Sequence, residues 1–123
     1  MSKFKIKLNQ AEMKVVAGVC MSAATGIDAR MPQADQSVTL LAMTETCERL
    51  WSRLRNMYRP DRSHYTVQLN ATEVMTLTNV VAPLLRDADD PGMRTIGYAM
   101  DEELRKQIER EVNIYNAMHH GDA

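Results

Sequence analysis

The sequence predicts a mostly helical α+β fold. Two β-α-α units are related by a pseudo-two-fold, and a two-stranded antiparallel ribbon packs on four helices. Three observations carry this reading. A segment near the start of the chain is echoed in its second half. Both copies alternate apolar and polar residues and then meet the same helix-capping signature. Each is followed by two stretches with helical apolar spacing.

The echo runs from Phe4-Lys5-Ile6-Lys7-Leu8-Asn9-Gln10-Ala11-Glu12 to Tyr65-Thr66-Val67-Gln68-Leu69-Asn70-Ala71-Thr72-Glu73. Leu, Asn and Glu recur, while Phe/Tyr and Ile/Val are conservative changes. Ala42-Met43 returns as Ala99-Met100, and Asn56-Met57-Tyr58 as Asn113-Ile114-Tyr115. The later matches are closer together than the first, so the second unit has a shorter internal connection. The organisation expected is one domain over 1–123, with unit 1 at about 3–58, unit 2 at about 64–116 and a flexible tail at 117–123.

Phe4, Ile6 and Leu8 alternate with Lys3, Lys5 and Lys7, and Tyr65, Val67 and Leu69 with His64, Thr66 and Gln68. Period two marks a strand with one buried face. Asn9 and Asn70 then stand at N-cap positions, each with Glu three residues on, which is a capping box. The first helix is expected over Gln10–Ala24 with Met13, Val16, Cys20 and Ala23 inward, and Gly26 as its C-cap. A loop follows to Gln36. The second helix, Ser37–Tyr58, carries Leu40, Met43, Cys47, Leu50, Leu54 and Met57 as a narrow seam and stops at Arg59-Pro60-Asp61.

In the second unit the third helix has Val74, Leu77, Val81 and Leu84 inward, and Pro83 kinks or shortens its last turn. Asp87-Ala88-Asp89-Asp90-Pro91-Gly92 reads as a turn. The last helix spans Met100–Met118 with Met100, Leu104, Ile108, Val112 and Tyr115 inward. Asp101, Glu102 and Glu103 then suit its N-terminal dipole. Two strands are not stable alone, so they pair and the helices cover their apolar face.

Charge is nearly balanced, with 15 basic and 16 acidic residues. This argues against a uniformly basic nucleic-acid coat but leaves room for a local patch. Ten Met residues suit adaptable contact surfaces. Cys20 and Cys47 lie on inner stripes and are expected as buried free thiols. The first residues lack the apolar run of a signal peptide, no stretch is long enough for a bilayer, and the expected compartment is the cytoplasm.

The ribbon's outer face is the first candidate surface. Lys3, Lys5 and Lys7 would share it with His64, Thr66 and Gln68, all able to hydrogen-bond. A strand–helix–helix order with a basic alternating strand resembles the ribbon-helix-helix family. That resemblance implies a DNA-binding ribbon, here made of two strands from one chain, with Lys3, Lys5, Lys7, Thr66 and Gln68 as its nucleic-acid contacts. The plainer reading is a solvated strand whose lysines deter aggregation. Arg49, Arg53, Arg55, Arg59 and Arg62, interleaved with Trp51 and Tyr58, flank the apolar seam rather than form one stripe. His119-His120 with Asp122 falls short of a four-ligand metal site, and Asp87, Asp89 and Asp90 lack the spacing of a calcium loop. No catalytic residue, metal site or cofactor is expected. These readings point first to a non-enzymatic protein-interaction module. Its partner would be another protein or a second copy of the chain. DNA binding through the ribbon is the alternative, and no membrane partner is expected.

Overall fold

The computed structural model describes residues 3–30 and 37–120. The chain runs through β1 (Phe4–Asn9), α1 (Gln10–Arg30), α2 (Ser37–Met57), β2 (His64–Leu69) and α3 (Ala71–Thr76). A π-helical turn (Leu77–Val81), α4 (Ala82–Arg86) and α5 (Pro91–His120) complete it. The fold is mostly helical. The two strands pair antiparallel, with Phe4 opposite Leu69, Ile6 opposite Val67 and Leu8 opposite Tyr65. The strands' apolar faces join Met13, Val16, Cys20, Cys47, Leu50 and Leu54 in one core, closed by Leu77, Val81, Leu85 and Leu104.

Both capping boxes form as expected. The Glu12 N–H donates to Asn9 Oδ1 and the Asn9 N–H to Glu12 Oε1, each at 2.8 Å. Asn70 and Glu73 repeat the exchange, again at 2.8 Å twice. Each box satisfies two backbone donors that a helix start leaves orphaned. Asn9→Ala and Asn70→Ala should each lower unfolding free energy by about 1 kcal/mol. Chemical denaturation of the two variants checks this, and unchanged midpoints in both would remove the capping argument.

Several sequence expectations are corrected. The first helix does not cap at Gly26 but continues to Arg30; much of the expected 26–36 loop, residues 31–36, lies outside the described residues. In the third helix Leu84 is exposed and Leu85 takes its place in the core. The π turn explains the exchange. The Ala82 N–H reaches back five residues to the Leu77 carbonyl, and the extra residue rotates the inward stripe by one position. Pro83 follows at once, where its missing N–H and its ring disfavour the ordinary ladder.

The last helix begins at Pro91, nine residues earlier than Met100. Asp90 stands before it, its Oδ1 accepting the Gly92 N–H at 2.9 Å, and Pro at a first helical position already has the right φ. Asp101, Glu102 and Glu103 are therefore mid-helix rather than N-terminal. Asp101 is nearly buried and pairs with Arg105 at 2.9 Å and Arg86 at 3.7 Å. Val112 and Tyr115, expected inward, are exposed. Residues 117–120, expected in the tail, continue α5, which outruns the body of the protein.

Cys20 and Cys47 are free and fully buried. Burial pushes the Cys20 thiol up to about 12, and charge on nearby Cys47 adds to the shift. Burial likewise pushes Cys47 up to about 11, with the Glu48 carboxylate contributing. At mildly alkaline pH the native protein should therefore resist thiol labelling until denatured, because the thiolate is the reactive form. Immediate labelling of both would contradict this placement. The stability linked to these thiols is intact below the ordinary value of 9.0 and is lost as pH rises toward about 11 and 12.

Candidate nucleic-acid interface

Parity fixes the outer face of the ribbon. With Ile6, Leu8, Tyr65, Val67 and Leu69 buried, Lys5, Lys7, Thr66 and Gln68 must point the other way, and all four are exposed, as is Lys3. The register sets Lys5 opposite Gln68 and Lys7 opposite Thr66, with Asn9 opposite His64. The predicted site residues Lys3, Lys5, Lys7, Thr66 and Gln68 thus share one solvent-facing surface.

Both edges of the ribbon are held by side chains. On the β1 edge Gln107 of α5 imitates a strand. Its Oε1 accepts the Lys5 N–H at 3.0 Å, and its Nε2 donates to the Lys5 carbonyl at 2.8 Å. Glu103 Oε1 fixes the same amide at 3.0 Å. On the β2 edge Arg53 of α2 donates to the Gln68 carbonyl at 2.9 Å and pairs with Glu73 at 3.1 Å. An open strand edge invites pairing with other chains; these side chains occupy the edges at Lys5 and Gln68.

The connection between α2 and β2 is pinned at the end of the ribbon. The Tyr65 hydroxyl accepts the Arg59 N–H at 2.9 Å and lies 3.0 Å from the Arg59 carbonyl and 3.2 Å from that of Arg62. From α1, Gln10 Nε2 donates to the Pro60 carbonyl at 3.0 Å, and the Gln10 N–H donates to the Ser63 carbonyl at 3.0 Å. Arg62 is thereby held against the ribbon, its Nε donating to the His64 carbonyl at 3.1 Å.

Charge is partitioned along the chain. Residues 1–64 hold ten Lys and Arg against six Asp and Glu, and residues 65–123 hold five against ten. Among the described residues Arg49 and Arg53 pair with Glu45 and Glu73. Lys3, Lys5, Lys7, Lys14, Arg55, Arg59 and Arg62 enter none of the ion pairs. These unpaired cations run from the ribbon's outer face, over the pinned connection, to the adjoining ends of α1 and α2. Lys14 lies over the Tyr58 ring and Arg55 over the Trp51 ring. Acids gather on α5 and on the turn before it, among them Glu102, Glu103, Asp87 and Asp89.

Sequence reasoning found the outer-face residues but missed Lys14, Gln10, Tyr65 and Gln107 as parts of this surface or its support. Gln107 alone left a signal, as a polar residue beside the apolar positions Leu104 and Ile108. Among the described residues no group of three or more His, Cys, Asp or Glu could hold a metal, and no helix is long and apolar enough to cross a membrane. No family, curated protein or solved structure matches the chain.

Proposed function

We propose that the protein is a non-enzymatic DNA-binding module that lays the outer face of its ribbon against duplex DNA. The observation that carries this is the concentration of unpaired cations on the ribbon's outer face and its pinned end, while the acids are most numerous in the second half of the chain, on α5 and the turn before it. Lys3, Lys5 and Lys7 are positioned for phosphates; Thr66 and Gln68 offer neutral donors and acceptors for base edges. In this reading the two strand–helix–helix halves arose by duplication. The symmetric strand register and the twin capping boxes support that origin, and the ribbon-helix-helix resemblance follows from it.

A gel-shift series with random duplex DNA tests the reading. Wild type should bind at low ionic strength and lose affinity steeply with salt, because phosphate contacts release counterions. Lys5→Ala with Lys7→Ala should weaken binding by about tenfold and flatten the log–log salt dependence by about two, roughly one per phosphate contact. Both residues are exposed, so the fold should survive, with stability changed by less than about 0.5 kcal/mol. Absence of any shift at low salt would end this proposal.

A second reading rests on a different observation. Val112, Ile114, Tyr115 and Met118 are exposed on the part of α5 that outruns the body. A protein-interaction module would use this end of α5, and a second copy is the simplest partner. Sedimentation velocity of wild type against a Tyr115→Asp, Met118→Asp double variant separates the two. A concentration-dependent dimer lost in the variant favours this reading.

A further inference from the structure

We infer that the cleft between the β1 edge and α5 binds a short extended segment of another protein, which pairs its backbone with Lys7. In an antiparallel ribbon the backbone groups of successive residues face opposite sides of the strand. The N–H and C=O of Lys5 face away from β2 and meet Gln107. Those of Lys7, two residues on, face the same way. The N–H of Asn9, two further on, is taken by Glu12. Lys7 lies between these two, and among the described residues neither its N–H nor its C=O has a hydrogen-bond partner. The cleft beside it has a volume of about 430 Å³, within the roughly 300–1,000 Å³ typical of ligand sites. Ile6, Leu8 and Met100 form its buried apolar lining, with Ile96 and the exposed Ala99 of α5 nearer to solvent.

The chemistry of this edge specifies the occupant. Gln107 demonstrates what the edge accepts: a planar amide that offers one donor and one acceptor, here from a buried side chain. One residue of an antiparallel strand offers the same pair to Lys7, which is how peptides add to sheet edges. The ribbon of a second copy fits badly. Gln107 occupies the edge at Lys5 and limits the contact to a few residues, and two β1 edges paired at Lys7 would set like charges directly opposite. Parity assigns the segment's side chains. The residue opposite Lys7 shares the outer face with its ammonium, which favours an acid. Its two neighbours point to the side of Ile6 and Leu8, into the cleft, and are apolar. Glu12, bonded to Asn9, and Glu103, bonded to Gln107, mark the two ends of the cleft. Neither enters an ion pair among the described residues, so they favour basic residues at both ends of the segment. The pattern recognised is basic, apolar, acidic, apolar, basic.

The probe is the acetylated and amidated pentapeptide Lys-Val-Glu-Leu-Lys, titrated into isotope-labelled wild type and read by amide NMR. The Lys7, Ile96 and Ala99 amides should shift saturably, with half-saturation below about 1 mM. The Lys7 proton should move downfield as its N–H gains an acceptor, while Thr66 and Gln68 stay in place. The charge-reversed peptide Glu-Val-Lys-Leu-Glu should bind at least about tenfold more weakly. N-methylation of the central residue removes the donor to the Lys7 carbonyl and should also weaken binding at least about tenfold. Ala99→Phe fills the cleft from an exposed helix position, so it should keep the thermal midpoint and lose the binding. Lack of a saturable shift, undiminished binding of the charge-reversed or N-methylated peptide, or wild-type binding in Ala99→Phe overturns the inference. Shifts at Thr66 and Gln68 alone overturn it too, because they put the peptide on the outer face. So do Lys7 and Ala99 shifts that grow with protein concentration without peptide, which put a second copy in the cleft. The site does not rest on the DNA reading, and Ala99→Phe should still shift duplex DNA.

Discussion

Gly97→Ala should lower the thermal midpoint by roughly 10–15 °C, corresponding to a loss of about 3 kcal/mol. A Cβ at residue 97 would lie 2.7 Å from the Leu85 Cβ, 2.9 Å from the Arg86 backbone nitrogen and 3.1 Å from the Ala82 carbonyl oxygen. None of these atoms is the far end of a flexible side chain, so the clash cannot be relieved by a rotamer change. The two helices must separate. Leu85 and Ala82 are fully buried, and their separation opens the core that α4 and α5 share. The consequence reaches the ribbon, because the same helix carries Gln107 to the Lys5 backbone. Calorimetry of Gly97→Ala beside Gly18→Ala makes the comparison. The second has open space and should be neutral or stabilising by up to about 1 kcal/mol. If Gly97→Ala melted like wild type, the close crossing of α4 and α5 would be wrong, and the path of α5 along β1 with it.

That crossing also explains what the sequence concealed. The strands, their pairing partners and both caps were legible because each rests on local rules: period-two alternation over Phe4–Leu8 and Tyr65–Leu69, and Asn followed by Glu three residues on. The start of α5 was not, because Pro91, Gly92 and Gly97 all read locally as breakers. Tertiary packing overrides them. Gly97 is tolerated in mid-helix because a larger residue would not fit against α4, and Asp90-Pro91 begins a helix rather than merely closing a turn. The π turn was invisible for a related reason. A single added residue changes which of Leu84 and Leu85 is buried, and both satisfy the composition of an apolar stripe equally well.

The candidate interface was legible in the same proportion. Strand parity alone placed Lys5, Lys7, Thr66 and Gln68 outward. Its extension to Lys14, Arg55 and Arg62 depends on which cations find carboxylates, and that is a matter of tertiary neighbours. Arg53 and Arg55 are two residues apart on α2, yet Arg53 pairs with Glu73 and Arg55 rests on Trp51. Near-neutral net charge masked the partition, because the basic first half and the acidic second half cancel.

Tyr65 links the ribbon to this charged end, and Tyr65→Ala should cost about 3–5 kcal/mol, the range for deleting a large aromatic from a core. Its side chain is among the largest that are fully buried, with the ring stacked on Tyr58 at a centroid distance of 6.5 Å. The ring and the hydroxyl contribute separately. Tyr65→Phe keeps the apolar contacts but removes the acceptor for the Arg59 N–H and a donor to the Arg59 and Arg62 carbonyls. Leaving such groups unpaired costs about 1–3 kcal/mol. The Phe variant should therefore fold, be less stable than wild type, and hold Arg59 and Arg62 less firmly. Hydrogen exchange reads that difference: the Arg59 amide should lose protection in Tyr65→Phe, while amides in the middle of α1 and α2 should exchange only as fast as the lower global stability requires. Unaltered protection at Arg59 would mean that Gln10, bonded to the Pro60 carbonyl from the other side, holds the connection alone. The hydroxyl of Tyr65 would then have no part in presenting the cations at the ribbon's end.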